Sequence, residues 1–140
     1  MSAEFFIDTN VCTYHLDSSD PRKHATAEGI VRDALTLRNG CISTQVVQEC
    51  LNVALRKAEV ALTLEAARRY LEVVLAPLVQ VTANETLHHR ALDVQARCWF
   101  SLYDSLIVAS ALAAGCRTLL SGDLQHGQRL DELTVVNSFL

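Results

Sequence analysis

A chain of 140 residues, half of them hydrophobic and a fifth charged, has the size and apolar content of one compact domain with a buried core. Its net charge of −4 argues against a protein that coats DNA through backbone charge alone, since such proteins are usually basic. The acidity is compatible with an enzyme whose carboxylates gather around divalent cations, or with a protein that docks on a basic partner.

Two prolines and five glycines leave no linker, and no segment has the bias of a disordered tail. No apolar run reaches the roughly 20 residues that span a bilayer, and the first residues lack a basic and apolar leader, so a cytoplasmic protein is expected. Cys12, Cys41, Cys50, Cys98 and Cys116 form no CxxC pair and are odd in number, as expected of reduced core thiols.

In chain order, Glu4-Phe5-Phe6-Ile7 is a short apolar run that stops at Asp8-Thr9-Asn10, which predicts a buried strand with Asp8 at its carboxyl end. Residues 17–21 read as a loop. From Arg22 to Arg38 the apolar residues fall mostly at helical spacing, and Asn39-Gly40 offers a stop signal. Cys41-Ile42 is a minimal second strand. Ser43 or Thr44 can cap the next helix, which carries Val46, Val47, Cys50, Leu51 and Ala54 along one face and places Glu49 one to two turns inside. A further helix over about 62–76 is predicted to end before Pro77, followed by a strand over 78–81. Thr82 with Glu85 reads as a capping box opening a helix that runs to about Cys98. Ser101 starts a helix with Asp104 in its first turn and an almost wholly apolar body, which Gly115 ends. Thr118-Leu119-Leu120 is a strand stopping at Ser121-Gly122-Asp123, and Leu133 to Val136 is a final strand. The alternation predicts an α/β fold with a four- or five-stranded, mainly parallel sheet covered by helices on both faces.

In open parallel sheets, functional groups collect outside the carboxyl ends of the strands. Asp8 and Asp123 directly follow strands, and Glu49 and Asp104 lie near the starts of helices leaving the same edge, so four acids from distant parts of the chain can meet on one rim. Closely grouped carboxylates repel one another unless a cation compensates, and hard oxygen ligands select Mg²⁺ or Mn²⁺. Each acid also has an ordinary reading. Asp8 can cap a helix, Asp104 can complete a capping interaction, Glu49 can face solvent, and Asp123 can end a strand in a turn.

The four segments Phe6-Ile7-Asp8-Thr9-Asn10-Val11, Ile42-Ser43-Thr44-Gln45-Val46-Val47-Gln48-Glu49, Tyr103-Asp104-Ser105-Leu106-Ile107-Val108-Ala109 and Leu120-Ser121-Gly122-Asp123-Leu124-Gln125-His126-Gly127 resemble, in order, the successive motifs of PIN-domain ribonucleases. The resemblance spans essentially the whole chain and is greatest to the VapC-type toxins of bacterial toxin–antitoxin pairs. It implies a PIN-like three-layer sandwich, Mg²⁺- or Mn²⁺-dependent endoribonuclease activity, a homodimer, and a cognate antitoxin that inhibits it. Asp8, Glu49, Asp104 and Asp123 match the family's acidic quartet, as catalytic and metal-binding residues. Thr9, Asn10 and Ser121 match supporting polar positions. Related chains often carry another acid where Gly122 stands here.

Adjacent His88 and His89 point about 100° apart on a helix and cannot chelate one metal together as an HxxxH pair can. His126 follows the proposed rim and suits either a phosphate or a local turn contact. Arg90 and Arg97 can guide RNA or simply face solvent, and Trp99, Phe100 and Tyr103 suit a core or dimer surface better than base stacking. Neither a GxxxxGK[ST] loop nor a GxGxxG turn is present, and Asn10 stands where a haloacid-dehalogenase-like phosphatase needs an Asp. The rival from another class is a catalytically inactive PIN-like binding or scaffolding module, which the complete quartet disfavours.

Overall fold

The computed structural model describes residues 3–57 and 59–140. Among the described residues six strands, β1 (Phe5–Ile7), β2 (Gly40–Ser43), β3 (Val79–Val81), β4 (Thr118–Leu120), β5 (Arg129–Leu130) and β6 (Leu133–Val136), form one sheet in the order β3-β2-β1-β4-β6-β5. The first five in that order are mutually parallel, as expected. The sixth, β5, is a two-residue strand antiparallel to β6, joined to it through Asp131 in the left-handed region (φ 55°). Its shortness leaves no alternation to read, which is why the sequence points to one strand fewer.

All four residues of β2 are buried, although successive side chains of a strand point to opposite faces. Both faces of the sheet are therefore covered. Helices α1 (Thr9–Leu16), α2 (Pro21–Leu37) and α3 (Thr44–Arg56) pack together, with α1 against both others, while α6 (Glu85–Cys98) packs along α7 (Leu102–Ala113). Seven consecutive residues of α7, Ser105 to Ala111, are buried, as its nearly continuous apolar sequence requires. The cysteines are free, four of them buried and Cys98 half-buried.

Three local expectations are corrected. Arg38, not Gly40, takes the left-handed conformation that ends α2 (φ 56°). Gly40 opens β2, and its role is space: a Cβ there would stand 2.5 Å from the Phe5 ring and 2.8 Å from the Ala34 Cβ. Asn84, not Thr82, caps α6, its Oδ1 accepting the Leu87 N–H at 2.8 Å, because it directly precedes the first helical residue. Pro77 does not stop its helix. After α4 (Leu64–Tyr70) the chain passes through a π-helical turn, Leu71–Leu75, straight into the last turn α5 (Ala76–Leu78), so Pro77 lies one residue from the helix end, where its missing N–H forfeits a single bond.

Candidate active site

Backbone pairing carries Asp8 to the carboxyl edge of the sheet. The Asp8 N–H donates to the Leu120 carbonyl at 3.0 Å, so the ladder between β1 and β4 runs up to the residue before Ser121. Asp8 is also the N-cap of α1. One carboxylate oxygen, Oδ1, accepts the Thr9 N–H at 2.7 Å, and the other, Oδ2, accepts the Ser121 hydroxyl at 2.8 Å. Ser121 is committed twice over, since its Oγ also accepts the N–H groups of Asp123 and Leu124 at 3.2 and 3.3 Å. The hydroxyl therefore fixes both the buried carboxylate and the loop that presents Asp123.

Asp8 is 5% exposed, and burial pushes its carboxyl up to about 6. The hydrogen bonds from Ser121 and Thr9 hold it down, while the negative charges of Asp123 and Glu49 push it further up. Three of the four expected acids are thus within electrostatic reach at one place.

Glu49 is positioned from α1. Its Oε1 accepts the Thr9 hydroxyl at 2.8 Å, so the residue beside Asp8 fixes both acids, one through its backbone and one through its side chain. Gln45, one helical turn before Glu49 on α3, reaches Glu49 Oε1 at 3.5 Å and donates to the Tyr103 carbonyl at 3.1 Å. That contact ties α3 to the first turn of α7, where Asp104 is half-buried with its N–H on the Ser101 hydroxyl at 3.1 Å. This backbone link ties the helix turn of Asp104 to the other three acids; among the described residues no hydrogen bond joins its carboxylate to theirs. Gln45 was not among the expected site residues; its helical spacing from Glu49 was the available signal.

Asn10 has both amide atoms, Oδ1 and Nδ2, buried without a partner. A buried amide with no hydrogen bond is costly and calls for an explanation, which a bound polar group would supply. Gly122 bears on it directly, because a Cβ at that position would lie 3.0 Å from Asn10 Nδ2 and 3.5 Å from the Phe139 ring. Gly122, with no side chain, makes room for this amide. Among the described residues, no three Asp, Glu, His or Cys side chains converge closely enough to enclose an ion by themselves. The donors on the rim are all oxygen, which suits a hard divalent cation that keeps water in its coordination shell.

Other candidates are spoken for. His126 Nδ1 accepts the Asn137 N–H at 3.0 Å, the local turn contact. Arg97 pairs with Asp131 at 3.2 Å, and His89 with Glu85 at 3.6 Å. Trp99 and Tyr103 are 92% and 66% exposed, so neither belongs to the core.

The model of the PIN domain family matches residues 5–131. No curated protein sequence matches the chain. The fold is similar to that of the Mycobacterium tuberculosis toxin VapC20, described as cleaving the sarcin–ricin loop, with a TM-score of 0.61 and 20% identity over 85% of this chain and 91% of that one. It is also similar to a chain of VapBC2 from Rickettsia felis, solved bound to a DNA fragment from its promoter, with a TM-score of 0.60 and 16% identity over 94% of this chain and 96% of that one. With the strand order and the family match in agreement, the chain belongs to the PIN domain family.

Proposed function

We propose that this protein is a metal-dependent endoribonuclease and the toxin of a toxin–antitoxin pair, hydrolysing an RNA phosphodiester at the rim of Asp8, Glu49, Asp104 and Asp123. The observation that carries this reading is Asp8, a buried carboxylate held in one orientation at the carboxyl edge and repelled by both Glu49 and Asp123. Mg²⁺ or Mn²⁺, held by Asp8 and Asp104 with Glu49 and Asp123 completing the cage directly or through water, would neutralise the phosphate and acidify the attacking water. The chain's own part is orientation. Thr9 and Ser121 fix the acids, and the unpaired Asn10 amide has a donor and an acceptor free for a phosphate oxygen or a water. Ser121 is a strut and not a nucleophile, since its oxygen already accepts two N–H groups and its proton lies on Asp8.

The same reading includes a cytoplasmic location and a homodimer. It also includes an antitoxin that covers the rim and places a basic side chain among the carboxylates. No described helix is long and apolar enough to cross a membrane, which is consistent with it. The decisive test is cleavage of structured RNAs by purified, partner-free protein with Mg²⁺ or Mn²⁺, against EDTA and against Asp8→Asn. Metal-dependent cutting lost in the variant is expected. No cutting, joined to no calorimetric Mn²⁺ binding, would replace this reading with the inactive binding module.

A further inference from the structure

Beside the carboxylate rim lies a second concavity of about 200 Å³, bounded by the start of α3, the start of α6 and the first turns of α7. We propose that it is a nucleobase subsite, which receives one unpaired base of the RNA next to the cleaved phosphate. The inference rests on the nuclease reading above and names what that site would recognise.

Its volume is below the roughly 300–1,000 Å³ of sites for drug-sized ligands, which suits one flat ring system. Leu87 and Leu106 are buried and give it apolar surface, and Tyr103 adds an exposed aromatic ring on which a base can stack. No Lys, Arg, Asp or Glu lines it. A phosphate would find no cation there, and an antitoxin's basic side chain no acid, so the lining favours an uncharged group that forms hydrogen bonds.

Groups for those bonds are present. Ser110 lines the cavity at 1% exposure, and its hydroxyl has no partner. A buried hydroxyl left unpaired is unfavourable, and a ligand atom would satisfy it. His88 Nδ1 lies 2.6 Å from the Asn84 carbonyl and must donate to it, which leaves Nε2 of the neutral ring as a free acceptor. Gln45 joins the two sites, lining the cavity while it touches Glu49 and the Tyr103 backbone. A base held here would set which internucleotide bond lies over the acids.

The test uses the full-length, metal-free, partner-free protein labelled with ¹⁵N and titrated with each of the four ribonucleosides. Saturable shifts are expected at the amides of Thr44, Gln45, Leu87, His88 and Tyr103, larger for one or two bases than for the others. Ala83→Trp, at an exposed position on the cavity's mouth, and His88→Ala should each weaken binding about tenfold, the loss of one good contact. No shifts at these amides, or shifts unchanged in both variants, would overturn the proposal. So would shifts at the same amides that grow with protein concentration alone, which would mean that a second copy fills the cavity. In parallel, Mn²⁺-dependent hydrolysis is measured on RNA and on bis(p-nitrophenyl) phosphate, a diester without a base. Ala83→Trp should raise KM for RNA about tenfold and leave hydrolysis of the simple diester unchanged; unchanged KM for RNA would count against the subsite. If the unaltered protein cuts neither, the nuclease reading fails, while the nucleoside titration still decides whether the cavity takes a base.

Discussion

Asp8 enters the fold 5% exposed, with two hydrogen bonds to its carboxylate and the charges of Glu49 and Asp123 pressing on it. Raising its pKa from 3.8 to about 6 means that the unfolded chain gives up this proton first as pH rises. Below about pH 4 both states are protonated and the group is neutral in its effect; between there and about 6 stability falls, and above that the full cost remains. That cost is about 2–3 kcal/mol at 1.36 kcal/mol per pKa unit. Asp8→Asn should therefore unfold at higher denaturant concentration than the parent at pH 7.5 in EDTA, and at nearly the same concentration at pH 4. An Asp8→Asn protein no more stable than the parent at pH 7.5 would contradict this. The placement of Asp8, Thr9 and Ser121 was legible because strand ends and turn signals bracket them. What Gly122 does was not, since its reason is the Asn10 amide brought against it by folding.

Helix and strand boundaries depend on neighbours as much as on their own residues. Gly40 shows this, because its apparent role as a helix stop gives way to close packing of β2 on the Phe5 ring and on Ala34. Gly40→Ala should cost about 1–3 kcal/mol, the range for overpacking a tight core, read as a fall in the denaturation midpoint. The ends of α1 and α3 are joined by an ion pair: Asp17, the C-cap of α1, accepts Lys57 Nζ at 3.2 Å and the Ser19 N–H at 2.9 Å. The Ser19 contacts, followed by Lys57, lower its pKa to about 2. A carboxyl lowered in the folded state stabilises above its unfolded value of 3.8, and that contribution disappears as pH falls toward 2. Asp17→Asn should flatten the dependence of the unfolding midpoint between pH 4 and pH 2. The core-forming helices were readable from apolar period, but a two-residue strand and a π-helical turn carry no period to read.

On the molecular surface, Leu92, Trp99 and Leu102 stand exposed around the corner between α6 and α7, with Trp99 at 92%. Trp99 is the left-handed C-cap of α6 (φ 60°), with Leu92 two turns before it on the helix. Exposed large apolar side chains of this kind suit the proposed homodimer. Trp99→Glu should convert a dimer into a monomer by light scattering, without changing the circular dichroism spectrum; an unchanged mass would move the interface elsewhere.

The hydrogen bond from Ser121 to Asp8 spans 113 residues of sequence, and Glu49 lies 40 residues from the Thr9 hydroxyl that fixes it. Closing loops of that length is slow compared with forming a helix, and it is rewarded only when β1 has both neighbours in place. The acids on the rim are therefore scattered until the central strands have paired, and they meet one another's charge only then. A chain in which those strands have not paired would lack the assembled rim, so the proposed cleavage of RNA should appear with the last long-range pairing and vanish with the first to open.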